Sequence, residues 1–300
     1  SRDTTAPTGF GQSMKFDVTS ADTSVGSTHV VYTAQTVEAQ VMRNSGWDYT
    51  SSSSYITLSF QIRSSKTGTY CVFLYTNDGS AKMYTAEYTV SSADTWEQKV
   101  IAIPGNSNLT FNNDNGNGVQ IGWTWACGTD RDGTAETWSD LAFATSNQVN
   151  FLDSTSNVAY LTGVQLEVGQ FTSSTLPAFQ QESFGDNLAR CQRYYLNYLE
   201  GTGKIVGMTA SYTSSEVVLM HNFPTTMRSA PTLEISTGSS YYQHGEAGSV
   251  QAITGSDISI DRATLNGAQL LLTSMSANSG DGGFIYTGSS SSKISYTAEL

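Results

Sequence analysis

The chain is dominated by short stretches in which apolar and polar residues alternate, separated by turn signals about every 8–12 residues. SYITLSFQIRSS is typical, since one face of the predicted strand carries only apolar side chains: Ile56, Leu58, Phe60 and Ile62. TGTYCVFLYTNDG followed by KMYTAEYTV predicts a hairpin with its loop at residues 77–79. Because many short strands occur without βαβ alternation, the sequence predicts an all-β fold built from sandwiches.

One stretch breaks the strand pattern, SFGDNLARCQRYY at residues 183–195. Ser183 is a favoured N-cap residue, and Asp186 places a carboxylate in the first turn, where the helix dipole stabilises it. Four apolar or aromatic residues recur at spacings of four, three and four, which predicts one helix face: Phe184, Leu188, Cys191 and Tyr195. We expect a short helix that packs by this face, and we predict no helix before residue 183.

The helix divides the chain into parts. The strand alternation ends near residue 170, where VGQFTSSTLPAFQ introduces Pro177. A length of 300 residues suits two β domains of ordinary size. We therefore predict an N-terminal β-sandwich at residues 1–170, a connector with the short helix at 171–200, and a small antiparallel β-sandwich at 201–300.

Charge and cysteine content exclude several classes of protein. The net charge of −12 repels nucleic-acid phosphates, so we expect no nucleic-acid partner. No apolar run is long enough to predict a membrane span. The three cysteines are far apart and lack a Cys-x-x-Cys spacing: Cys71, Cys127 and Cys191. We expect them to be free, buried thiols rather than zinc ligands or disulfides, which suits folding in a reducing cytoplasm.

The chain resembles a family of bacteriophage virion proteins in the order of seven stretches: ITLSFQIRSSKTGTYCVFLY, ADTWEQKVIAIPG, NGVQIGWTWACG, AYLTGVQLEVG, FGDNLARCQRYY, FPTTMRSAPTL and YTAEL. The combination of TGVQLEVG with SFGDNLARCQRYY is the most specific part. Members occur in marine and cyanobacterial phages and prophages as tail-fibre, head-fibre or other minor structural proteins. After the Gly the family usually shows Thr-Pro-Phe-Glu, where this chain has LPAFQQ.

The resemblance implies more than the residues alone predict. It implies a jelly roll similar to carbohydrate-binding modules for the N-terminal domain, and a small β domain of the kind that ends many fibres for the C-terminal one. It also implies a location on the virion surface after assembly in the host cytoplasm, a homotrimer, and other capsid or tail proteins as partners. Contact with host-surface glycans or a receptor is the function that it implies.

Two alternatives stay open at this point. The protein is a purely architectural decoration subunit in the first, and a polysaccharide-degrading tail protein in the second. We expect no enzymatic activity, because the three histidines lie in unrelated contexts and no Gly-x-Ser-x-Gly motif is present: His29, His221 and His244. No repeat of the kind that builds β-helical depolymerases is present either.

Five residues are candidates for ligand contact. Trp47 and Trp138 stand in polar, Gly/Ser/Thr-rich surroundings and are the best candidates for exposed aromatic rings, although burial as loop anchors is the alternative. SSYYQHGEAG at residues 239–248 predicts a flexible loop that carries the other three: Tyr241, Tyr242 and His244. The alternative is a loop that packs its tyrosines on its own domain. Trp123 and Trp125 continue an apolar row and are predicted to lie in the core.

The stretch FNNDNGNGVQIGW has oxygen-bearing residues but does not match a calcium-binding EF-hand loop. Counted from Asn112, the twelfth position is Trp123, where such a loop has a bidentate Glu. We predict a solvated turn here. We expect no cofactor, and a structural calcium ion is not indicated.

Overall fold

The computed structural model describes residues 1–299 and divides the chain into two compact units, Ser1–Gln180 and a second that begins at Gln181. The first unit contains ten strands: β1 (Arg2–Asp3), β2 (Ser13–Asp17), β3 (Val30–Glu38), β4 (Tyr55–Ser64), β5 (Gly68–Thr76), β6 (Lys82–Val90), β7 (Glu97–Pro104), β8 (Asn117–Cys127), β9 (Thr137–Ser139) and β10 (Val158–Val168). They form two five-stranded sheets, ordered β1-β2-β10-β4-β7 and β3-β8-β5-β6-β9.

The two sheets of the first unit enclose one hydrophobic core. Phe60 of β4 meets Trp123 of β8 and Tyr88 of β6 edge to face, with ring centroids 5.5 and 5.1 Å apart. All named strand pairs are antiparallel, and β5 pairs with β6 as the predicted hairpin. The N-terminal β-sandwich of jelly-roll type is therefore confirmed, as is the core position of Trp123 and Trp125.

Strand β4 shows why the sandwich forms. Its predicted apolar face is fully buried: Ile56, Leu58, Phe60 and Ile62. Successive side chains of a strand point to opposite sides, so Thr57, Ser59 and Gln61 lie on the outer face of the sheet. This outer face supports the site described below.

The prediction of no helix before residue 183 is wrong, because α1 (Ala39–Arg43) follows β3 directly. The first two amides of α1, those of Ala39 and Gln40, donate to the carbonyls of Gly116 and Asp114, both at 2.9 Å. Met42 is buried in the core. A loop distant in sequence satisfies the amides that a helix leaves unpaired at its start, so one helical turn persists here.

The second unit contains α2 (Phe184–Gln192) and ten strands: β11 (Tyr195–Glu200), β12 (Ile205–Ser211), β13 (Val217–Asn222), β14 (Thr232–Ile235), β15 (Tyr242–Glu246), β16 (Ser249–Ile253), β17 (Ile258–Thr264), β18 (Gly267–Leu272), β19 (Gly282–Thr287) and β20 (Lys293–Thr297). Sheet orders are β11-β20-β14 and β16-β15-β19-β12-β13-β18-β17. The two sheets share a core that includes Leu196, Leu270 and Tyr296. The small C-terminal antiparallel sandwich is confirmed.

Helix α2 begins as predicted but does not pack as predicted. Ser183 is the N-cap, and its Oγ accepts a hydrogen bond from the Asp186 amide at 3.2 Å. Phe184 is 82% exposed, and Leu188 and Cys191 are exposed as well, so the expected burial of this face is wrong. Helical spacing shows which residues share a face and not what covers it. Neither α-helix within residues 1–299 is long or apolar enough to cross a bilayer.

Candidate functional site

An open groove of the first unit lies on the outer face of the sheet that contains β4. Residues 170–180, here called the strap, follow β10 and cross this face. Between the strap and β7 lies an open groove of about 720 Å³, lined by β7 from Gln98 to Ala102 and by the strap from Gln170 to Thr175. A smaller recess of about 190 Å³ adjoins it and shares Gln98 and Ser173 with it, and the two together are here called the strap groove.

Hydrogen bonds to β4 fix the start of the strap. The Thr57 hydroxyl donates to the Gly169 carbonyl at 2.7 Å and accepts from the Phe171 amide at 3.1 Å. Thr57 is fully buried, so this polar contact is shielded from water and is costly to break. A turn follows, in which the Thr172 amide donates to the Thr175 hydroxyl at 2.9 Å.

Aromatic packing holds the far end of the strap. The rings of Phe10 and Phe179 meet edge to face with their centroids 5.1 Å apart. Gly163, at φ +60°, makes this approach feasible, since a Cβ there would lie 2.7 Å from the Phe10 ring. Gln165 adds a hydrogen bond from its amide to the Pro177 carbonyl at 3.3 Å.

Two neutral amide side chains of the groove are available for binding. Gln61 of β4 and Gln98 of β7 are direct cross-strand partners, and within residues 1–299 neither side-chain amide makes a hydrogen bond. Each amide offers two N–H donors and one carbonyl acceptor. The half-buried ring of Phe171 lines the larger groove together with Gln98 and supplies an apolar surface there. A groove that contains free amides and an aromatic ring can bind a ligand that is polar at its edges and apolar on its face.

The one charged residue along this stretch of β7 is neutralised locally. The Lys99 ammonium lies 2.6 Å from the Glu97 carboxylate and also donates to the Thr89 carbonyl. Burial raises the pKa of Glu97, but hydrogen bonds from Lys99 and from the Ser92 and Ser91 amides outweigh it and lower the pKa below its usual value. The ammonium and the carboxylate offset each other, so the pair adds little net charge to the groove.

The prediction that Trp47 is exposed is wrong. Its ring is only 4% exposed and packs against Tyr49 and Phe111. Phe111 is distant in sequence, so the polar local sequence gave no sign of this contact. Trp138 is half-buried, and its Nε1 donates to the Pro104 carbonyl at 2.8 Å while its ring lies 5.3 Å from that of Tyr84. Trp47 thus anchors its loop, which is the alternative that the sequence left open, and Trp138 anchors the short strand β9.

The predicted flexible loop at residues 239–248 is instead mostly the β15–β16 hairpin. Tyr242 is fully buried, and its hydroxyl donates to the Lys293 carbonyl at 2.8 Å. His244 is also buried, with Nε2 2.9 Å from the Thr209 hydroxyl, and Tyr241 is half-buried. β15 lies between two strands of the large sheet, so its alternate residues point into the core. The surface of this structure therefore does not present Tyr242 or His244 to a ligand.

The histidine and cysteine side chains lie outside the strap groove. His221 and His244 belong to the second unit, and His29 is exposed. Cys71 is buried, Cys127 half-buried and Cys191 exposed, all unpaired, so the expected burial is wrong for Cys191. Within residues 1–299, no three His, Cys, Asp or Glu side chains are arranged to hold a metal ion.

The sequence predictions missed the strap groove. In the sequence, Thr57, Ser59 and Gln61 look like the polar, solvent-facing positions of any strand with one buried face. Only the fold shows that the strap crosses them. The only local signal is the loss of alternation after residue 170, together with Phe171 and Pro177, and by itself this pattern indicates the end of a domain.

No family model matches this sequence, and no curated protein matches it. Among solved structures, the chain is similar to the tandem CBM22 domains of Paenibacillus barcinonensis Xyn10C, at 8% identity over 100% of this chain and 90% of that one, with a TM-score of 0.29. A T=1 Penaeus vannamei nodavirus structure gives 8% identity over 95% of both chains and a TM-score of 0.18. At these TM-scores neither similarity assigns a family or a ligand to this chain.

Proposed function

We propose that this chain is a fibre or decoration subunit on the surface of a phage particle and that its strap groove binds a neutral host-surface glycan. The pairing of Gln61 with Gln98, in a groove that Phe171 also lines, is the observation that carries the glycan part. The virion part rests on the sequence resemblance described above. Assembly as a homotrimer with other capsid or tail proteins belongs to the same proposal.

The chemistry of the groove favours a sugar polymer over other ligands. Sugar hydroxyls both donate and accept, as side-chain amides do, and a pyranose ring has an apolar C–H face that packs on an aromatic ring. A volume of about 720 Å³ is within the range of about 300–1,000 Å³ typical of ligand sites. The site is an open groove, so a chain of sugar units can extend beyond it.

Charge favours a neutral polymer over an acidic one. The chain carries a net charge of −12, and the cation of Lys99 is paired with Glu97. The negatively charged protein would therefore repel an acidic capsular polysaccharide, and the ammonium of Lys99 is already paired and does not offset that repulsion. Neutral hexose polymers are the ligand class that we propose. The role proposed here is binding, without a catalytic step.

Binding of the purified protein to an array of neutral and acidic bacterial polysaccharides tests this proposal. We expect binding to one or more neutral polymers, and loss of that binding in a Phe171→Ala variant and in a Gln61→Ala/Gln98→Ala double variant. Phe184→Ala is the matched control, since it removes an exposed phenylalanine from the second unit and should leave binding unchanged.

The alternative of a purely architectural subunit predicts a different result. If the folded protein binds no polymer on the array but binds a capsid or tail protein, the architectural role replaces the glycan role. Binding that survives both groove variants would show that the ligand site lies elsewhere on the molecule.

A further inference from the structure

The outer face of the seven-stranded sheet carries two aromatic rings of β19. Phe284 and Tyr286 are two residues apart, so they lie on the same face, while the buried Ile285 between them faces the core. Their rings are nearly parallel, at 25° to each other, with centroids 5.7 Å apart. Phe284 is 41% exposed and Tyr286 is half-buried, so the pair presents an aromatic surface to solvent, here called the aromatic platform.

The neighbouring strand β15 sets the position of the Phe284 ring. Gly245 is the cross-strand partner of Phe284, and a Cβ at this position would lie only 2.8 Å from the ring. The ring can therefore lean over β15 only because the residue beneath it is Gly. A ring that rests against the sheet on one side keeps its other side in solvent, as a stacking surface requires.

A free amide lies beside the aromatic platform. Gln243 of β15 is the cross-strand partner of Tyr286, and within residues 1–299 its side-chain amide makes no hydrogen bond. This amide offers two N–H donors and a carbonyl acceptor. The other amides of this face lie beyond β12, namely Asn222 of β13 and Gln269 of β18, and Gln269 already donates to Asp261 at 3.1 Å.

A recess adjoins the Phe284 ring. It has a volume of about 300 Å³, and the exposed side chains of Met208 on β12 and Val250 on β16 line it together with Phe284. Glycines leave space along its border, where other residues would place a side chain: Gly245, Gly248, Gly282 and Gly283. The recess has room for a small apolar group attached to a ligand that lies on the aromatic platform.

The charge at the recess is negative. Glu246 lines it, and the carboxylate of Glu246 accepts hydrogen bonds from the Ser211 hydroxyl at 2.8 Å and from the Asn278 amide at 2.9 Å. The whole chain carries a net charge of −12. Both charges disfavour an acidic ligand, so the ligand that fits this surface is neutral.

We infer that the aromatic platform and its recess form a second ligand site, for a neutral sugar that carries a methyl group. The apolar C–H face of the sugar ring packs on Phe284, hydroxyls at its edge bond to the Gln243 amide, and the methyl group enters the recess. Acetamido sugars and 6-deoxy sugars share this chemistry. The inference rests on contacts within the second unit, and on neither the strap groove nor the sequence resemblance.

Saturation-transfer NMR on the full chain tests the inference. The probes are the trisaccharide of N-acetylglucosamine, the 6-deoxy sugar rhamnose, and a glucose trisaccharide without methyl groups, each at about 5 mM because a small open site binds weakly. We expect binding of one or both methyl-bearing probes, with the strongest saturation on their methyl protons, and weaker binding of the glucose trisaccharide by about fivefold or more. The probe that binds identifies the sugar class.

Variants of the two rings place the site. Phe284→Ala and Tyr286→Ala should each weaken binding about tenfold, since each removes a stacking surface. Both rings reach solvent, so the variants should keep the wild-type unfolding midpoint. Phe184→Ala is the matched control, because it removes an exposed phenylalanine elsewhere in the second unit and should leave binding unchanged.

Several results would overturn the inference. These are a folded wild type that binds neither methyl-bearing probe, methyl protons that receive no more saturation than ring protons, or wild-type binding by both ring variants. Loss of binding in Phe171→Ala but not in Phe284→Ala would assign these sugars to the strap groove. Binding here by a protein that binds no polysaccharide in the strap groove would contradict the proposed function and leave this inference intact.

Discussion

The imidazole Nδ1 of His221 lies 2.7 Å from the phenolic oxygen of Tyr296 in the core of the second unit. Nε2 of the same ring lies 3.1 Å from the Val206 carbonyl, which can only accept, so Nε2 carries the proton and Nδ1 accepts from Tyr296. Tyr198 stacks on the imidazole, with ring centroids 3.9 Å apart. The network holds a neutral histidine, and burial lowers the pKa of His221 to about 4.

The lowered pKa makes the second unit sensitive to acid. In the unfolded chain a histidine has a pKa near 6.5, so below that pH the unfolded state binds a proton that the native state excludes. We expect the free energy of unfolding to fall between about pH 6.5 and pH 4, by about 3 kcal/mol in all. Urea unfolding followed by hydrogen exchange of peptides from β13 and β20 measures this fall.

The His221→Gln variant provides the check. It should be less stable at pH 7 and should lose most of the dependence on pH, whereas His29→Gln, at an exposed histidine, should keep it. All five tryptophans belong to the first unit, so their fluorescence should not respond to the His221 substitution. If the free energy of unfolding of His221→Gln falls with pH as steeply as that of the wild type, the acid sensitivity belongs to another group.

Thiol labelling should distinguish the three cysteines. Burial raises the pKa of Cys71 to about 11, and burial together with the Asp132 carboxylate raises that of Cys127 to about 12, whereas Cys191 is exposed on α2. Because the thiolate is the reactive form, a disulfide reagent at pH 8 should label one thiol per native chain and three per unfolded chain. Cys191→Ser should remove the native reaction. Rapid labelling of a second thiol in the native chain would contradict the burial described here.

Gly122 of β8 should not tolerate a larger side chain. A Cβ at this position would lie 2.1 Å from the Phe73 ring, which is fully buried and packed against Phe143. We expect Gly122→Ala to lower the stability of the first unit by about 1–3 kcal/mol, as overpacking of a core does. Tryptophan fluorescence during denaturant unfolding measures it. Gly11→Ala is the control, since no atom lies within 4 Å of the added Cβ, and its unfolding midpoint should stay at the wild-type value.

Binding in the strap groove should be insensitive to salt. Because the groove is neutral and the proposed ligand is uncharged, raising sodium chloride from about 50 mM to about 500 mM should change the dissociation constant by less than about twofold. Calorimetry with a neutral polysaccharide found on the array measures it. A steep weakening with salt would instead indicate an ionic contact outside Gln61, Gln98 and Phe171.

Local chemistry made much of the fold predictable. The alternation around Phe60 identified a strand with one buried face, and Ser183 with Asp186 identified the start of α2. Each of these signals depends on residues within a few positions of one another, so the sequence alone contains it.

The failures arose where contacts are distant in sequence. Trp47 is covered by Phe111, and residues 239–248 became part of the large sheet because β15 pairs with β19. The strap groove depends on the same kind of contact, since Phe10 and Phe179 come together from opposite ends of the first unit. In such places a turn-rich sequence predicts an exposed loop, but contacts with residues distant in sequence bury that segment instead.

The contact between Phe10 and Phe179 has a mechanical consequence. It joins a residue near the beginning of the first unit to one near its end, so the far end of the strap can leave the sheet only if this aromatic contact opens. A ligand seated between the strap and β7 would contact both and would oppose their separation.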